Sequence, residues 1–197
     1  MRQVDRGNYV LSKSEAYLDS PQSIEYGATI SAPHMHAHAA EILLPFLRPG
    51  ARVLDIGSGS GYLSAVFHHL VSSEQQKGKV VGIEHIPQLV EWSIKNLGKD
   101  GLQHALDDNE IVMLAGDGRL GYPDGGPYDA IHVGAAAPVL PQLLVDQLTR
   151  PGRMFIPVGE YMQDVVQVDK HEDGRITSKR LFGVMYVPLT DREKQTM

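Results

Sequence analysis

Three histidines stand at every second position in the segment TISAPHMHAH, directly after a serine and a proline. Proline is favoured at the first position of a helix, and apolar residues recur after it at helical spacing, so we predict a helix that starts at Pro33. On that helix His34, His38 and Glu41 share one face, and their nitrogen and oxygen atoms are of the kind that binds metal ions. The chain nevertheless has no HExxH motif and no second group of such ligands, and we therefore predict that it holds no metal.

The strongest motif is VLDIGSGSG, an apolar strand that runs into three alternating glycines, Gly57, Gly59 and Gly61. Such glycines let the backbone turn tightly and approach a ligand, and the start of the next helix offers free N–H groups. A dinucleotide-binding fingerprint would need a glycine at position 62, where Tyr62 stands. The spacing therefore predicts a cofactor other than NAD across this loop.

Three carboxylates stand at or just after the ends of three successive predicted strands. Asp55 would repel a pyrophosphate but attract a cationic amino-acid end that carries a sulfonium and an ammonium group. Glu84 can accept hydrogen bonds from both hydroxyls of a ribose, and Asp117 can accept one from an adenine amino group. Each acid alone is also explained as the cap of a helix or turn, but the three together favour S-adenosylmethionine as the cofactor.

The elements that must position these residues follow an alternating pattern. Apolar runs typical of buried strands cover residues 51–56, 79–83, 110–114, 128–133 and 153–158. Amphipathic helices are predicted from Pro33 to about residues 44–47, after the first strand, from Pro87, and from Pro141 with Leu144 and Leu148 inside. This order predicts an α/β fold of the Rossmann-like type, a mostly parallel sheet with helices on both faces.

Two further segments complete the predicted fold. The strand-like runs 164–169 and 181–187 are joined by a turn-rich segment without a helix, which predicts a C-terminal antiparallel hairpin at the edge of the sheet. Residues 116–127, rich in glycine and proline, predict a functional loop at the carboxyl edge of the sheet.

The composition limits the possible functions. A chain of 197 residues fits one domain, which we place at residues 1–197. The formal net charge is −6 and no run is rich in lysine and arginine, which argues against nucleic acid as a partner. Without cysteine, the chain has no disulfide, thiolate metal site or cysteine nucleophile. No apolar run reaches the roughly 18 residues of a membrane span, and the N-terminus has no signal-peptide core, so we expect a cytoplasmic enzyme, monomeric and without a membrane partner.

From residue 4 to the C-terminus, the chain resembles the protein L-isoaspartate (D-aspartate) O-methyltransferase family, and its eukaryotic members more than its bacterial ones. The glycine loop is generic for class I methyltransferases, whereas TISAPHMHA and DAIHVGAAAP are specific to this family; VVGIEH, GDGRLGYP, GRMFIPVG and VMYVPLTDREKQ also match. The resemblance implies a class I S-adenosylmethionine-dependent enzyme that methylates the free α-carboxylate of L-isoaspartyl residues in damaged proteins and peptides, and it leaves D-aspartyl residues open as a second substrate. Its second product would be S-adenosyl-L-homocysteine.

The resemblance also implies roles for individual residues. Ser31 matches the active-site serine of the family, and Thr190 matches a C-terminal residue that closes over the site. Asp55 and the glycine loop would line the methionine part of the cofactor, Glu84 the ribose, where the family often carries aspartate, and Asp117 the adenine. The complete set implied to bind the cofactor is Thr29, Ile30, Ser31, His36, Asp55, Gly57, Ser58, Gly59, Glu84, His85, Asp117, Gly118 and Thr190.

Methyl transfer to a carboxylate needs few residues, because a carboxylate with an ordinary pKa of about 4 is already ionised at neutral pH and needs no general base. The protein must align the reactants and exclude water. Ser31 can hold one carboxylate oxygen by its hydroxyl, although a serine ahead of Pro33 is also explained as a helix cap. We expect His36 to face the cleft, whereas His132 either borders the substrate carboxylate or is a satisfied core histidine.

We expect the substrate peptide at the end of the fourth predicted strand, residues 133–138, with Val133, Gly134 and Ala135 in contact with it. An isoaspartyl linkage adds one methylene to the main chain. A methylene is worth only about 1 to 3 kcal/mol in a pocket, so backbone hydrogen bonds must supply the remaining selectivity.

Two other functions compete with this interpretation. A methyltransferase acting on a metabolite or nucleobase is one, but nucleobase amino-methylating enzymes carry a [DNS]PP[YFW] motif where this chain reads VGAAAP. A non-catalytic protein that keeps the pocket as an adaptor surface is the other, and it would bind the cofactor without turnover.

Family members usually carry a helical segment before the residues that match here from Val4 onward, and we expect activity with lower stability in its absence.

Overall fold

The computed structural model describes residues 1–191. Seven strands form its main sheet: β3 (Arg52–Ile56), β4 (Lys79–Glu84), β5 (Ile111–Ala115), β6 (Tyr128–Val133), β7 (Leu148–Val158), β8 (Gln163–Lys170) and β9 (Ile176–Val184). Two short antiparallel strands, β1 (Gln22–Ser23) and β2 (Thr29–Ile30), precede them. The helices are α1 (Pro33–Leu43), α2 (Tyr62–Val71), α3 (Pro87–Lys99), α4 (Gln103–Asp107) and α5 (Gln142–Asp146).

The strand order in the main sheet is β5-β4-β3-β6-β7-β8-β9. The first five strands in that order pair in parallel, and β8 and β9 add an antiparallel hairpin at the edge. The chain moves outward in one direction from β3 to β5 and then continues with β6 on the other side of β3. Open α/β sheets bind ligands at such a reversal, in the crevice outside the carboxyl ends of the strands.

The side chains of β3 alternate between two hydrophobic cores. Val53 packs with residues of α1, α2 and α3 on one face of the sheet, whereas Leu54 and Ile56 pack with residues of α5 on the other. Because helices cover both faces, the parallel strands are apolar along nearly their whole length, which is the pattern that the sequence shows. The predicted fold class, including the C-terminal antiparallel hairpin, is confirmed.

Several predicted boundaries are wrong, among them the start of β7, predicted at residue 153, and the end of β9, which is Val184 instead of residue 187. The helix after Pro141 ends at Asp146, and Leu148 is the first residue of β7, because Gln147 already joins the sheet by accepting a hydrogen bond from the Tyr128 N–H at 2.8 Å. The final hairpin turns at residues 171–175, and β9 starts at Ile176 instead of residue 181. Its first half is exposed and rich in polar residues, so it lacks the apolar signal used to predict strands.

Within residues 1–191, none of the helices has the length and apolar character that a membrane span requires.

Candidate functional site

Two adjoining cavities open at the carboxyl ends of β3, β4 and β6, at the reversal of the strand order. The outer cavity, of about 550 Å³, is lined by Glu84, His85, Asp117, Gly118, Ala135 and Thr190, among others. The inner cavity, of about 350 Å³, is lined by Ile30, Ser31, His36, Asp55, Ser58 and His132, among others. Thr29, Gly57, Gly59 and Gly134 line both, so the two form one continuous crevice.

The glycine loop takes the left-handed backbone conformation that its sequence predicts, with φ of +71° at Gly57 and +49° at Gly59. Its amide groups are nevertheless used within the chain. Gly57 and Ser58 donate to the Ile83 carbonyl at 2.8 and 3.1 Å, and Gly59 donates to Glu84 at 3.1 Å. The loop therefore does not offer these three amides to a phosphate, whereas the prediction of free N–H groups concerned the start of α2, at Tyr62, and is not tested by these contacts.

Asp55 is almost completely buried and holds two neighbours. Its Oδ2 accepts a hydrogen bond from the Ser64 hydroxyl at 2.6 Å, and its Oδ1 lies 2.8 Å from Nδ1 of His132. His132 stands directly beside Asp55 in the pairing of β3 with β6, and its ring stacks on Phe155. His132 is thus a satisfied buried histidine that also lines the inner cavity, and its place beside the substrate carboxylate stays a prediction.

Ser58 contributes an unusual buried group to the inner cavity. Its hydroxyl oxygen is buried and has no hydrogen-bond partner within the part of the chain that the structure describes. A buried polar group without a partner is costly, and a polar ligand in the cavity would relieve that cost.

Glu84 is buried at the end of β4, and its two oxygens accept hydrogen bonds from the backbone. Oε2 accepts from Gly59 N–H at 3.1 Å, and Oε1 accepts from Ile86 N–H at 3.0 Å. Burial raises the pKa of Glu84 above its ordinary value, and the backbone hydrogen bonds offset part of that increase. The His85 N–H is a third backbone donor to this carboxylate, which can accept about four hydrogen bonds and so keeps room for a hydroxyl donor in the outer cavity.

Asp117 is more exposed than Asp55 or Glu84, and it is not free. The Arg119 guanidinium donates to both of its oxygens at 2.7–3.0 Å, which lowers the pKa of Asp117. Arg119 also donates to Asp191 at 2.8 Å, and this ion pair fastens the C-terminal segment over the outer cavity. Next to it, Gly118 is required because a Cβ there would lie 2.4 Å from a methyl group of Ile56.

The C-terminal segment reaches the site by pairing with the residues after β6. Ala136 donates to the Val187 carbonyl, and Leu189 donates back to Ala136, both at 2.8 Å. This pairing places Thr190 in the wall of the outer cavity. The last residues of the motif VMYVPLTDREKQ, 192–195, lie outside the described residues.

Ser31 lies between β2 and α1 at the inner end of the crevice. The helix cap is Ala32, without a side-chain hydrogen bond, so the interpretation of Ser31 as a simple cap is wrong. Burial raises the pKa of Tyr186, and a hydrogen bond with the Ser31 side chain offsets part of that increase. Arg6 also contacts this residue, because it donates to the Ser31 carbonyl at 2.8 Å. Neither Tyr186 nor Arg6 was identified from the sequence as a neighbour of Ser31.

The three histidines of α1 differ in environment. His36 is buried and lines the inner cavity, His34 is exposed beside Asp19, and His38 is exposed and packs on Phe182. Among residues 1–191, no group of three or more histidine, aspartate or glutamate side chains is placed to hold a metal ion. That the protein works without a metal stays a prediction.

The expected peptide-binding edge at residues 133–138 is already paired. Gly134 and Ala135 line the crevice, but Val133 is fully buried in the core. Ala137 donates to Pro157 at 3.0 Å and accepts from Gly159 at 2.9 Å. Ala136 and Ala137 are thus paired within the protein, whereas contact of a substrate peptide with Gly134 and Ala135 stays a prediction.

Beside Ser31 a third, wider hollow opens to solvent. This entrance groove is lined by Pro21, Thr29, Ser31, Ala32, His34, Met35 and the segment 183–187, and it spans about 1040 Å³. Its walls are mainly apolar, and Met185 beside it is 97% exposed. It joins the inner cavity at Ser31, so it connects that cavity to the surface.

The doubly wound sheet, the glycine loop and the acids at three successive strand ends define a class I S-adenosylmethionine-dependent methyltransferase. A sequence profile described as protein-L-isoaspartate(D-aspartate) O-methyltransferase (PCMT) matches residues 1–194. The chain belongs to this family. As a member it is a protein repair enzyme, which moves the methyl group of S-adenosylmethionine to the free α-carboxylate of isoaspartyl residues in damaged proteins.

Individual relatives align with nearly the whole chain. Protein-L-isoaspartate O-methyltransferase 1 of Arabidopsis thaliana is 51% identical over 195 residues, which cover 99% of this chain and 84% of the relative. The protein-L-isoaspartate O-methyltransferase of Caenorhabditis elegans is 47% identical over 197 residues, with the same coverage of 99% and 84%. The solved structure of a Plasmodium falciparum beta-aspartate methyltransferase with S-adenosyl-L-homocysteine has a TM-score of 0.88 at 36% identity, covering 96% of this chain and 87% of that one.

Proposed function

We propose that the crevice holds S-adenosylmethionine with its methionine part in the inner cavity and its nucleoside in the outer cavity, and that Ser31 holds the substrate carboxylate between them and the entrance groove. One observation carries this assignment. Asp55, Glu84 and Asp117 come from three separate strand ends, yet all of them line one crevice that ends at Ser31.

The residues of the crevice fit the cofactor in charge and in shape. Asp55 offers a buried negative charge for the ammonium group, and Ser58 offers a hydroxyl that still lacks a partner. Glu84 keeps room to accept from a ribose hydroxyl, with His85 beside it, whereas Asp117 and Gly118 border the space for the adenine. Thr190 and the pairing of its segment with Ala136 close the outer side.

When bound, S-adenosylmethionine supplies the electrophilic methyl group. The task of the protein is to hold a carboxylate oxygen in line with it and to keep water away. The Ser31 hydroxyl lies at the junction of the inner cavity and the entrance groove, where it can donate to the carboxylate oxygen that does not react. No proton has to be removed from an ionised carboxylate, so the site needs no general base.

The substrate peptide would enter through the entrance groove, not along residues 133–138. The mainly apolar walls of the groove, formed by Pro21, Met35 and Val184, suit the side chains that flank the isoaspartyl residue. An unfolded or flexible segment can follow such a groove, whereas a rigid helix or strand cannot bring its kinked linkage to Ser31. The groove therefore favours damaged, locally disordered protein segments.

We further propose that the protein accepts D-aspartyl residues and works as a cytoplasmic monomer that uses neither nucleic acid nor a membrane as a partner. The family description, which includes D-aspartate, supports the first point. The net charge of −6 supports the exclusion of nucleic acid.

The experiment that tests the proposal is methyl transfer from labelled S-adenosylmethionine to three peptides that differ only in carrying isoaspartate, L-aspartate or D-aspartate at one position. The product is read as base-labile methanol. We expect incorporation into the isoaspartyl peptide, weaker incorporation into the D-aspartyl peptide, and none into the normal peptide. Cofactor binding without transfer to any peptide would contradict the proposal and favour the adaptor function.

A further inference from the structure

Arg6 is a buried cation that lies behind the inner cavity without touching its space. Only 3% of its surface is exposed, and its guanidinium stands 5.4 Å from the centre of the Tyr62 ring. It donates from Nε to the Ala16 carbonyl and from one terminal nitrogen to the Ser31 carbonyl, both at 2.8 Å. Its other terminal nitrogen lies 3.2 Å from Nδ1 of His36.

The contact with Arg6 decides which nitrogen of His36 carries the proton. A guanidinium can only donate hydrogen bonds, so Nδ1 of His36 must be the acceptor and carry no proton. Burial first, and then the nearby charge of Arg6, lower the pKa of His36 well below its ordinary value. A neutral imidazole without a proton on Nδ1 carries it on Nε2.

The Nε2 edge of His36 is the side that remains for a ligand. His36 lines the inner cavity, and Nε2 has no hydrogen-bond partner in the described part of the chain. Unlike the Ser58 hydroxyl, Nε2 is not sealed from solvent. The ring is held from the other side by Tyr62, whose centre lies 4.9 Å away.

We propose that Arg6 is a positioning residue: it fixes His36, which the resemblance already implies at the cofactor, as a neutral Nε2–H donor that points to a carboxylate in the inner cavity. An anion suits this place because the charge of Arg6 lies directly behind the imidazole and strengthens the donor. Resting on the proposed function, the inference leaves two sources of that carboxylate: the methionine part of the cofactor and the isoaspartyl substrate. Their shared chemistry is a carboxylate oxygen next to Ser31.

The protonation state can be measured on the unliganded wild-type protein. Long-range ¹H–¹⁵N spectra of the imidazole nitrogens distinguish the two neutral forms from the cation, and the His36→Gln variant assigns the signals. We expect the Nε2–H form alone from pH 8 down to pH 5. The groups that contact the ring or act on its pKa, Arg6, Tyr62, His34 and His132, carry no negative charge, and Asp55, which lines the same cavity, is paired with Ser64 and His132. An Nδ1–H form, or titration near the ordinary pKa of histidine, would overturn the proposal.

Kinetics test whether Arg6 acts through His36. Glutamine places an amide N–H close to the position of the histidine Nε2–H and has no tautomers, so it should keep the donor without help from Arg6. We expect Arg6→Met to raise one KM by about tenfold, with a smaller change in kcat, and Arg6→Lys to recover part of the loss. In the His36→Gln background the same Arg6→Met change should have little further effect on KM.

The two KM values separate the sources of the carboxylate. An increase confined to the KM of the cofactor assigns the methionine carboxylate, and one confined to the KM of the isoaspartyl peptide assigns the substrate. Arg153→Met is the matched control, since Arg153 also lies over an aromatic ring, that of Phe46, and donates to a backbone carbonyl. Equal effects of Arg6→Met in the wild-type and His36→Gln backgrounds would mean that Arg6 only supports the fold and would overturn the proposal. Failure of the wild type on every peptide would refute the proposed function, whereas the spectra would still decide the form of His36.

Discussion

The inner and outer cavities hold their titratable groups by different means. Asp55, His132 and His36 line the inner cavity and Arg6 lies behind it; all four are buried, and each is fixed by partners inside the protein. In the outer cavity the corresponding ion pairs, between Arg119 and Asp117 or Asp191, are exposed and join a loop to the C-terminal segment. Buried pairs are costly to break, whereas exposed pairs are worth about 0 to 1 kcal/mol.

The inner region and the outer wall therefore have different roles in the site. The inner region is arranged before any ligand binds, as is needed for alignment of a methyl donor with an acceptor. Beyond the pairing of Ala136 with Val187 and Leu189, the outer wall is held by exposed ion pairs, so we expect its Arg119 end to open when the cofactor is exchanged. Substitutions in the inner region should therefore have the larger effects.

The largest effect is expected for Asp55→Asn. The change removes a buried charge that pairs with His132 and faces the ammonium group, which we expect to weaken cofactor binding by about 3 kcal/mol, a loss of roughly a hundredfold or more. Calorimetric titration with S-adenosylhomocysteine measures it, with the exposed Asp108→Asn as the matched control. Affinity within threefold of the wild type would show that the inner cavity does not depend on this charge.

Ser31→Ala tests the junction between the cavities and the entrance groove. Loss of one hydrogen bond to a carboxylate costs about 1.5 to 3 kcal/mol, so kcat should fall roughly tenfold to a hundredfold while the KM for the cofactor stays unchanged. Ser178→Ala, an exposed position on β9, serves as the control. If kcat stayed the same, another donor would have to orient the substrate.

Glu84 should make the affinity for the cofactor depend on pH. Because burial raises its pKa, Glu84 becomes protonated at a higher pH than an ordinary glutamate, and the neutral carboxyl accepts hydrogen bonds less well. Cofactor affinity should thus be complete above the raised pKa and fall as the pH drops through it. Glu84→Gln should bind about tenfold more weakly at neutral pH and show a flatter profile.

The control for this profile is Glu91→Gln, an exposed glutamate on α3. If Glu84→Gln and the wild type lost affinity in parallel as the pH falls, the titrating group would lie elsewhere in the site.

The smallest effect is expected in the outer wall. Arg119→Ala removes both exposed ion pairs and should speed cofactor release by about twofold to fivefold, with little change in kcat of the chemical step. In the wild type, release should become faster as salt rises, and the variant should lose that dependence. Stopped-flow fluorescence measures the rate, with Arg175→Ala, whose partner Asp173 lies in the hairpin turn, as the control. A tenfold or larger change would mean that the outer wall is as rigid as the inner one.

The convergence of Asp55, Glu84 and Asp117 was predictable because the carboxyl ends of parallel strands share one edge of the sheet. The pair of Asp55 with His132 also had a signal, since each is the second-last residue of a predicted strand, but it required the strand register as well. No sequence signal pointed to Arg6, because its partners lie 10, 25 and 30 residues away and no periodic pattern joins them. The entrance groove is likewise made by tertiary packing of α1 against the segment after β9, which local sequence does not encode.

The most direct test of the account is a crystal structure of the protein with S-adenosylhomocysteine. We expect the ammonium group at Asp55, the ribose hydroxyls at Glu84 and the adenine beside Asp117 and Gly118. The contact of Asp55 with His132 should stay at 2.8 Å, while any movement is confined to Arg119 and the C-terminal segment. A ribose away from Glu84, or an inner cavity whose buried pairs have rearranged around the ligand, would contradict the division into a preformed inner region and an outer wall that opens.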